Sequence, residues 1–287
     1  MAKTGENTAQ GEWQGELYPA HRRVERLISG ETLSQALEDG QLSLYYQPKV
    51  DMQSGQAVGL EALLRWHHTT HGMLTPEYFI PVAEQQGVIR AITRWVLETV
   101  IRQCASWRRE GLLMPIAVNL SGLDLDDRAL PSYVAGLLET WQVPSTFIEL
   151  EITETAAIAD LECSIEVLGR LSRLGLGAAI DDFGIGYSSL QRLKQLPVNT
   201  IKIDKSFVTQ SCCDEHDMVF IDSITRLGHR LGLKVVAEGI ECSESWARLA
   251  AVGCDMGQGY HISRPLSGEA ITGWLRSGAQ HDWRKIG

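Results

Sequence analysis

The sequence offers no material for a helical membrane span, a cysteine-ligated metal finger or a basic nucleic-acid surface. No window approaches ~18 consecutive apolar residues, so no transmembrane helix is expected within it. The six cysteines (Cys104, Cys163, Cys212, Cys213, Cys242, Cys254) include no CxxC pair, which fits a reduced cytoplasm better than a disulfide framework. The adjacent Cys212 and Cys213 read as incidental loop residues. Cations are also short: 26 Lys and Arg against 36 Asp and Glu, a net charge of −10. That argues against long nucleic acid as a partner, yet leaves room for a small phosphorylated ligand held through metal ions. The opening MAKTGENTAQGEW is polar, with no apolar signal core, so the expected location is cytoplasmic, with any membrane tether upstream.

Apolar residues make up 44% and charged residues 22%, the balance of a globular protein, and 287 residues suffice for one α/β barrel. Eight apolar, β-rich runs recur: LSLYYQPKV (42–50), AVGLEALLRW (57–66), IAVNLS (116–121), FIELEIT (147–153), LGAAID (176–181), TIKID (200–204), KVVAEG (234–239) and a short run near Gly257–Ile262. Helical patterns separate most of them. Thr75-Pro76 resembles an N-cap followed by proline, and Ile92, Trp95, Val96, Val100 and Trp107 share a helical spacing that stops at Gly111. Alternating strands and helices predict a parallel sheet, and eight strands predict a (β/α)8 (TIM) barrel. Only DMQSGQ joins the first two strands, too short for a crossover helix and right for a hairpin. The expected fold is therefore a modified TIM barrel with its first strand antiparallel to the others. Residues 1–30 are assigned to a polar segment and linker helix, 31–280 to the barrel, and 281–287 to a tail.

Barrel enzymes place their chemistry at the C-terminal strand ends. There this sequence puts Glu61, Asn119, Glu151, Asp181 with Asp182, Lys202 with Asp204, Glu238 and Gln258, mostly hard oxygen donors with a single lysine. Two carboxylates ~4 Å apart repel by roughly 4 kcal/mol at an effective dielectric of ~20, so five on one rim demand protons or cations. Oxygen donors without His or Cys suit Mg²⁺ or Mn²⁺, and five charges suit two ions better than one. Two ions sharing a bridging carboxylate form the usual clamp for phosphodiester hydrolysis. Asp181 is expected to point inward as the bridge. Asp182 is placed where the strand yields to the Phe183-Gly184 turn, free of alternation and able to reach the second ion. Lys202 is expected to orient the attacking hydroxide.

Seven motifs now stand in order: EAL within GLEALLRW, VNLS (118–121), ELEITET (149–155), DDFGIGYSSL (181–190), IKIDKSFV (201–208), VVAEGIE (235–241) and GCDMGQGY (253–260). Together, from about Leu42 to about Leu275, they resemble the EAL-type cyclic di-GMP phosphodiesterases. The resemblance implies hydrolysis of cyclic di-GMP to linear pGpG with two Mg²⁺ or Mn²⁺ ions and inhibition by Ca²⁺. It implies Glu61, Asn119, Glu151 and Asp181 as ligands of the first ion, and Asp181, Asp182 and Glu238 as ligands of the second. Lys202 matches a lysine that holds the attacking water, Gln258 a residue needed for turnover, and Glu154 a glutamate that steadies the loop after Asp182. Arg65 matches a residue near a substrate phosphate, and Gln47 and Asp204 are grouped with it as expected substrate contacts. A homodimer and an upstream regulatory or cyclase-like domain are further implications. Two positions depart from the pattern: Ile185 where DDFGTG is usual, and Ile262 where an aromatic usually precedes SRP.

Other features have plainer readings. His67, His68 and His71 in HHTTH read as loop structure rather than a zinc site. Glu149 reads equally as a salt-bridge partner or as site support, Asp204 as a partner of Lys202 or a site residue, and Glu241 as structural. Trp95 and Trp107 read as core or interface, and the RRVER run (22–26) as a solvated helix face. Two functional alternatives stay open: a catalytically silent cyclic di-GMP receptor, and a Mg²⁺-dependent barrel using Lys202 to abstract a proton α to a carboxylate.

Overall fold

The computed structural model describes residues 28–185, 190–210 and 214–277. The RRVER run, Cys212, Cys213 and the proposed tail lie outside the described residues.

Among the described residues ten strands form one sheet: β1 (Leu42–Asp51), β2 (Ala57–His68), β3 (Gly72–Leu74), β4 (Ile116–Leu120), β5 (Ile148–Thr153), β6 (Gly177–Phe183), β7 (Thr200–Ile203), β8 (Lys234–Ala237), β9 (Met256–Gly257) and β10 (Leu266–Ser267). The order β10-β1-β9-β8-β7-β6-β5-β4-β2-β3, with β1 also pairing β2, closes an eight-stranded barrel through β1, while β3 and β10 extend its rim. β1 is antiparallel to both barrel neighbours, β2 and β9. The neighbouring pairs from β2 to β9 are parallel. The short connection, five residues once Asp51 joins β1, thus had the consequence expected of it: an α/β, modified TIM barrel with one reversed strand.

Period-two alternation explains the layers. On β1, Leu44, Tyr46, Pro48 and Val50 face the helices, which leaves Tyr45, Gln47 and Lys49 on the lumen side. The helix Ile89–Arg109 buries Ile92, Val96, Val100 and Trp107 at 3.6-residue spacing and ends before Gly111, whose φ of +79° admits the left-handed stop. Trp107 packs edge-on to Tyr46 with centroids 5.0 Å apart and donates to Thr272 Oγ1, a core position as expected.

Thr75 is the N-cap and Pro76 the first helical residue, as expected, but the turn they open, Pro76–Tyr78, is 3₁₀ and has no side-chain cap bond. Three local expectations need correction. His67 and His68 end strand β2, prolonged by the hairpin to β3, rather than lying in a loop; His67 pairs with Ser43 Oγ at 2.7 Å. The last barrel strand is two residues, Met256–Gly257, so the run to Ile262 is not strand, and Ile262 is buried in the core. Glu61 is not at a strand end, because β1 and β3 pairing carry β2 on to His68.

Candidate active site

Register brings the polar residues together. Glu61 pairs across the hairpin with Gln47, Asn119 sits level with Glu151, and Lys202 lies beside Val236, two residues before Glu238. The two adjacent acids owe their placement to a bulge. Ile180 pairs with Ile201 and Phe183 with Ile203, so Asp181 and Asp182 together oppose the single residue Lys202. Asp182 takes φ +53°, a left-handed conformation costing a non-glycine residue about 1–2 kcal/mol. Alternation is broken within the strand itself, which continues to Phe183, and both carboxylates reach the mouth. Gly184 follows at φ +105°, where a Cβ would lie 2.8 Å from Phe220 Cζ, so only glycine fits the turn.

At the centre is Lys202, fully buried. Its Nζ lies 2.6 Å from Glu151 Oε2, 2.6 Å from Glu238 Oε1, 3.1 Å from Asp181 Oδ2 and 3.7 Å from Glu61 Oε2. Above it opens a cavity of about 1040 Å³, lined at its base by Glu61, Asn119, Asp181, Asp182, Glu238 and Gln258. Gln258 Nε2 donates to Glu61 Oε2 (2.6 Å) and to Gln47 Oε1 (3.0 Å), Gln47 Nε2 donates to the Ser263 carbonyl, and Asn119 Nδ2 donates to Glu61 Oε1. Gln258 Oε1 is buried without a partner.

One ammonium cannot neutralise four carboxylates. Burial pushes Glu238 up to about 8 and raises Glu61 as well, each reinforced by neighbouring acids and opposed by Lys202. Asp182 is raised to about 6 by burial, by Asp181 and by Asp204, with which it shares a hydrogen bond. Lys202 is held well above the ordinary lysine value, since its carboxylates outweigh the burial that opposes its charge.

Glu151 is the exception, and it exposes what sequence reasoning missed. Burial alone would raise it, yet Lys202 and Lys49 bring it down to about 2. Lys49 is a second buried lysine, with Nζ 2.5 Å from Glu151 Oε1 and 2.9 Å from Glu149 Oε2, so Lys202 is not the only base in the cluster. The signal was available: Lys49 has the parity of Gln47 on a hairpin strand, hence the lumen face. Glu149 is accordingly a salt-bridge partner, also accepting from Thr200 Oγ1.

The remaining expected residues are spread around this centre. Asp204 does not pair with Lys202; its carboxylate accepts from Ser206 N at the start of the helix Lys205–Gln210 and faces Asp182. Glu154 Oε2 accepts from Gly184 N at 3.3 Å, bracing the turn after Asp182 without touching the acid cluster. Arg65 shares the Glu61 face of β2 but stands higher, outside the cavity lining, with its guanidinium 5.9 Å from the Tyr45 ring centroid. Glu241 is exposed at the cavity rim, and Ile185 is 62% exposed.

The EAL domain model matches residues 30–265, most of the described barrel. This chain belongs to the EAL domain family. It is 41% identical over 257 residues to the oxygen sensor protein DosP of Escherichia coli, covering 88% of this chain and 32% of DosP. It is 42% identical over 240 residues to the bifunctional diguanylate cyclase/cyclic di-GMP phosphodiesterase MucR of Pseudomonas aeruginosa, covering 83% of this chain and 35% of MucR. Among solved structures, the PaMucR phosphodiesterase complex with c-di-GMP superposes with a TM-score of 0.81 at 42% identity, over 84% of this chain and 98% of that one. The chain thus spans about a third of the length of these two curated relatives.

The EAL site fits divalent cations on its own chemistry. Donor oxygens of Glu61, Glu151 and Asp181 lie within 4.8 Å of one another. All donors are hard oxygens, Glu61, Asp182 and Glu238 are raised by burial first and by neighbouring acids second, and the orphaned Gln258 oxygen awaits a donor or a cation.

Proposed function

We propose that this EAL domain hydrolyses cyclic di-GMP to linear pGpG with two divalent cations, Mg²⁺ or Mn²⁺. The observation that carries the reading is the convergence of Glu61, Glu151, Asp181 and Glu238 on one buried point beneath a cavity large enough for a dinucleotide. The c-di-GMP-bound relative supports the substrate.

Glu61, Asn119, Glu151 and Asp181 would hold one ion, and Asp181, Asp182 and Glu238 the other. When bound, the ions supply positive charge to the phosphodiester and acidify a water to near-neutral pKa. Lys202 donates a hydrogen bond that aims this water at phosphorus, and its charge stabilises the negative charge developing in the transition state. Gln258, fixed through Gln47 and Glu61, presents its free oxygen to the same region. Glu154 keeps the Asp182 turn in place through Gly184, and Arg65 and Asp204 complete the substrate contacts from the rim and the second-ion side. The same carboxylates would also hold Ca²⁺, a larger ion that favours six to eight oxygens, and inhibition by it would follow. A homodimer, a cytoplasmic location and an upstream regulatory or cyclase-like domain belong to the same proposal. Among the described residues no helix is long and apolar enough to cross a membrane.

The test is chromatography of cyclic di-GMP incubated with the protein and Mg²⁺, Mn²⁺, Ca²⁺ or EDTA, beside Glu61→Ala. Formation of pGpG with Mg²⁺ or Mn²⁺ alone, and its loss in the variant, is expected. Binding without turnover makes the domain a receptor; neither binding nor turnover removes the substrate assignment.

A further inference from the structure

Lys49 reaches the acid cluster from an unusual direction. Because β1 runs against the other barrel strands, Gln47 lies at the mouth and Lys49, two residues later, lies deeper, on the floor. The β1–β2 register slips immediately after Lys49, and a bulge of this kind re-aims side chains. Its partner across the hairpin is Gly59, where even a Cβ would come no nearer than 4.0 Å to Lys49 Cδ, so the stem lies over bare backbone.

The ammonium is held on both sides. Glu149, itself fixed by Thr200 Oγ1 at 3.1 Å, accepts from Lys49 at 2.9 Å; Glu151 accepts at 2.5 Å. Glu151 is wholly buried, and its other oxygen meets Lys202. Among the described residues Lys202 is shared among four carboxylates, whereas the ion pairs of Lys49 go to Glu149 and Glu151 alone. An aliphatic side chain would fill the barrel floor without the desolvation cost of a buried charge, so stability gives little reason for a lysine here.

We propose that Lys49 is a positioning residue for the cation site: it pins Glu151 from beneath, so that this carboxylate presents one fixed orientation to its ion. The inference rests on the two-cation reading above, and its sign separates it from simpler roles. A bare positive charge near the site repels dications, so its removal tightens metal binding. A mere space-filler leaves metal binding unchanged. A positioning residue weakens binding when lost, as outer-shell partners do by roughly 10–100-fold.

The experiment measures Mn²⁺ binding alone, by electron paramagnetic resonance of free Mn²⁺, to EDTA-stripped wild type, Lys49→Met and Lys49→Arg. Thermal unfolding without metal runs in parallel. Lys49→Met is expected to bind Mn²⁺ roughly 10–100-fold more weakly. Lys49→Arg keeps the charge and fills the slot but moves its donors, and is expected to weaken binding at least about fivefold. Should Lys49→Met fail to fold, Lys49→Arg decides alone. Unchanged or tighter Mn²⁺ binding by a folded variant overturns the proposal, even if its unfolding temperature shifts. Wild type that binds no Mn²⁺ overturns the two-cation reading and this inference with it. Wild type that binds Mn²⁺ and loses it in the variants, yet leaves cyclic di-GMP intact, sustains the role of Lys49 while removing the substrate.

Discussion

Replacing Lys202 by methionine removes the ammonium from four carboxylate contacts of 2.6–3.7 Å while keeping the volume of the stem. Each contact near 3 Å is worth roughly 5 kcal/mol gross at an effective dielectric of ~20, but the desolvation of the ammonium offsets much of that sum. Breaking one partner out of a buried ion cluster costs about 3–5 kcal/mol net. At ~2–4 °C per kcal/mol for a large domain, the unfolding temperature in EDTA is expected to fall by about 6–20 °C. The loss depends on pH with a definite sign. Glu61 and Glu238 already have raised values in the folded state, and without Lys202 they rise further. A carboxyl raised on folding lends its stability below its unfolded value and withdraws it as pH rises through the folded one, about 8 for Glu238 in the wild type. The deficit should therefore be larger at pH 8.5 than at pH 5.5, and Mn²⁺ should recover more of it than it adds to wild type. Scanning calorimetry at both pH values, with EDTA and with Mn²⁺, measures all three. An unchanged unfolding temperature at pH 8.5, or a greater loss at pH 5.5, refutes the view that Lys202 is the counter-ion of the metal-free site.

Glu61→Gln should reduce turnover by more than the roughly 10–100-fold that loss of an outer-shell partner costs, while cyclic di-GMP binding measured by calorimetry with Ca²⁺ stays within a few-fold. Mn²⁺ affinity should rise steadily from pH 5.5 to pH 8.5, because Asp182 at about 6 and Glu238 at about 8 must release protons to act as ligands. Titrations in buffers of different ionisation enthalpy should show that release, and a flat profile contradicts it. Asp182→Gly should raise the metal-free unfolding temperature, since it relieves about 1–2 kcal/mol of left-handed strain together with the repulsion from Asp181, and should abolish turnover. A destabilised Asp182→Gly rules out strain at this bulge.

Much of the barrel was legible because its signals are local. The DMQSGQ loop is too short for anything but a hairpin, and that alone implies the reversed β1. The acids were legible as a set because carboxylates have no other reason to recur at the ends of apolar runs. What escaped depended on pairing across strands. Parity with Gln47 put Lys49 on the lumen face, but its partners Glu149 and Glu151 lie a hundred residues on and meet it only across the closed barrel. Asp204 was offered Lys202 by parity, but the bulge at Asp181–Asp182 fills that position and leaves Asp204 to face Asp182. The same bulge, invisible to a period-two reading, lets strand β6 run on to Phe183. The histidines of HHTTH were placed in a loop because nothing local announces that β3 will prolong β2.

The reversed first strand also bears on how the molecule comes together in time. β1 meets β2 within a few residues of chain, a contact that forms early and cheaply. Its other edge meets β9, some two hundred residues away, and the Gln47–Gln258 hydrogen bond spans 211 positions. Loop-closure entropy places such contacts among the last to form. The seam that seals the barrel is thus the seam that assembles Gln47, Glu61 and Gln258. Until it closes the strand edges stay open, and once it closes the acid-lined cavity is complete: the candidate site arrives with the final stitch of folding.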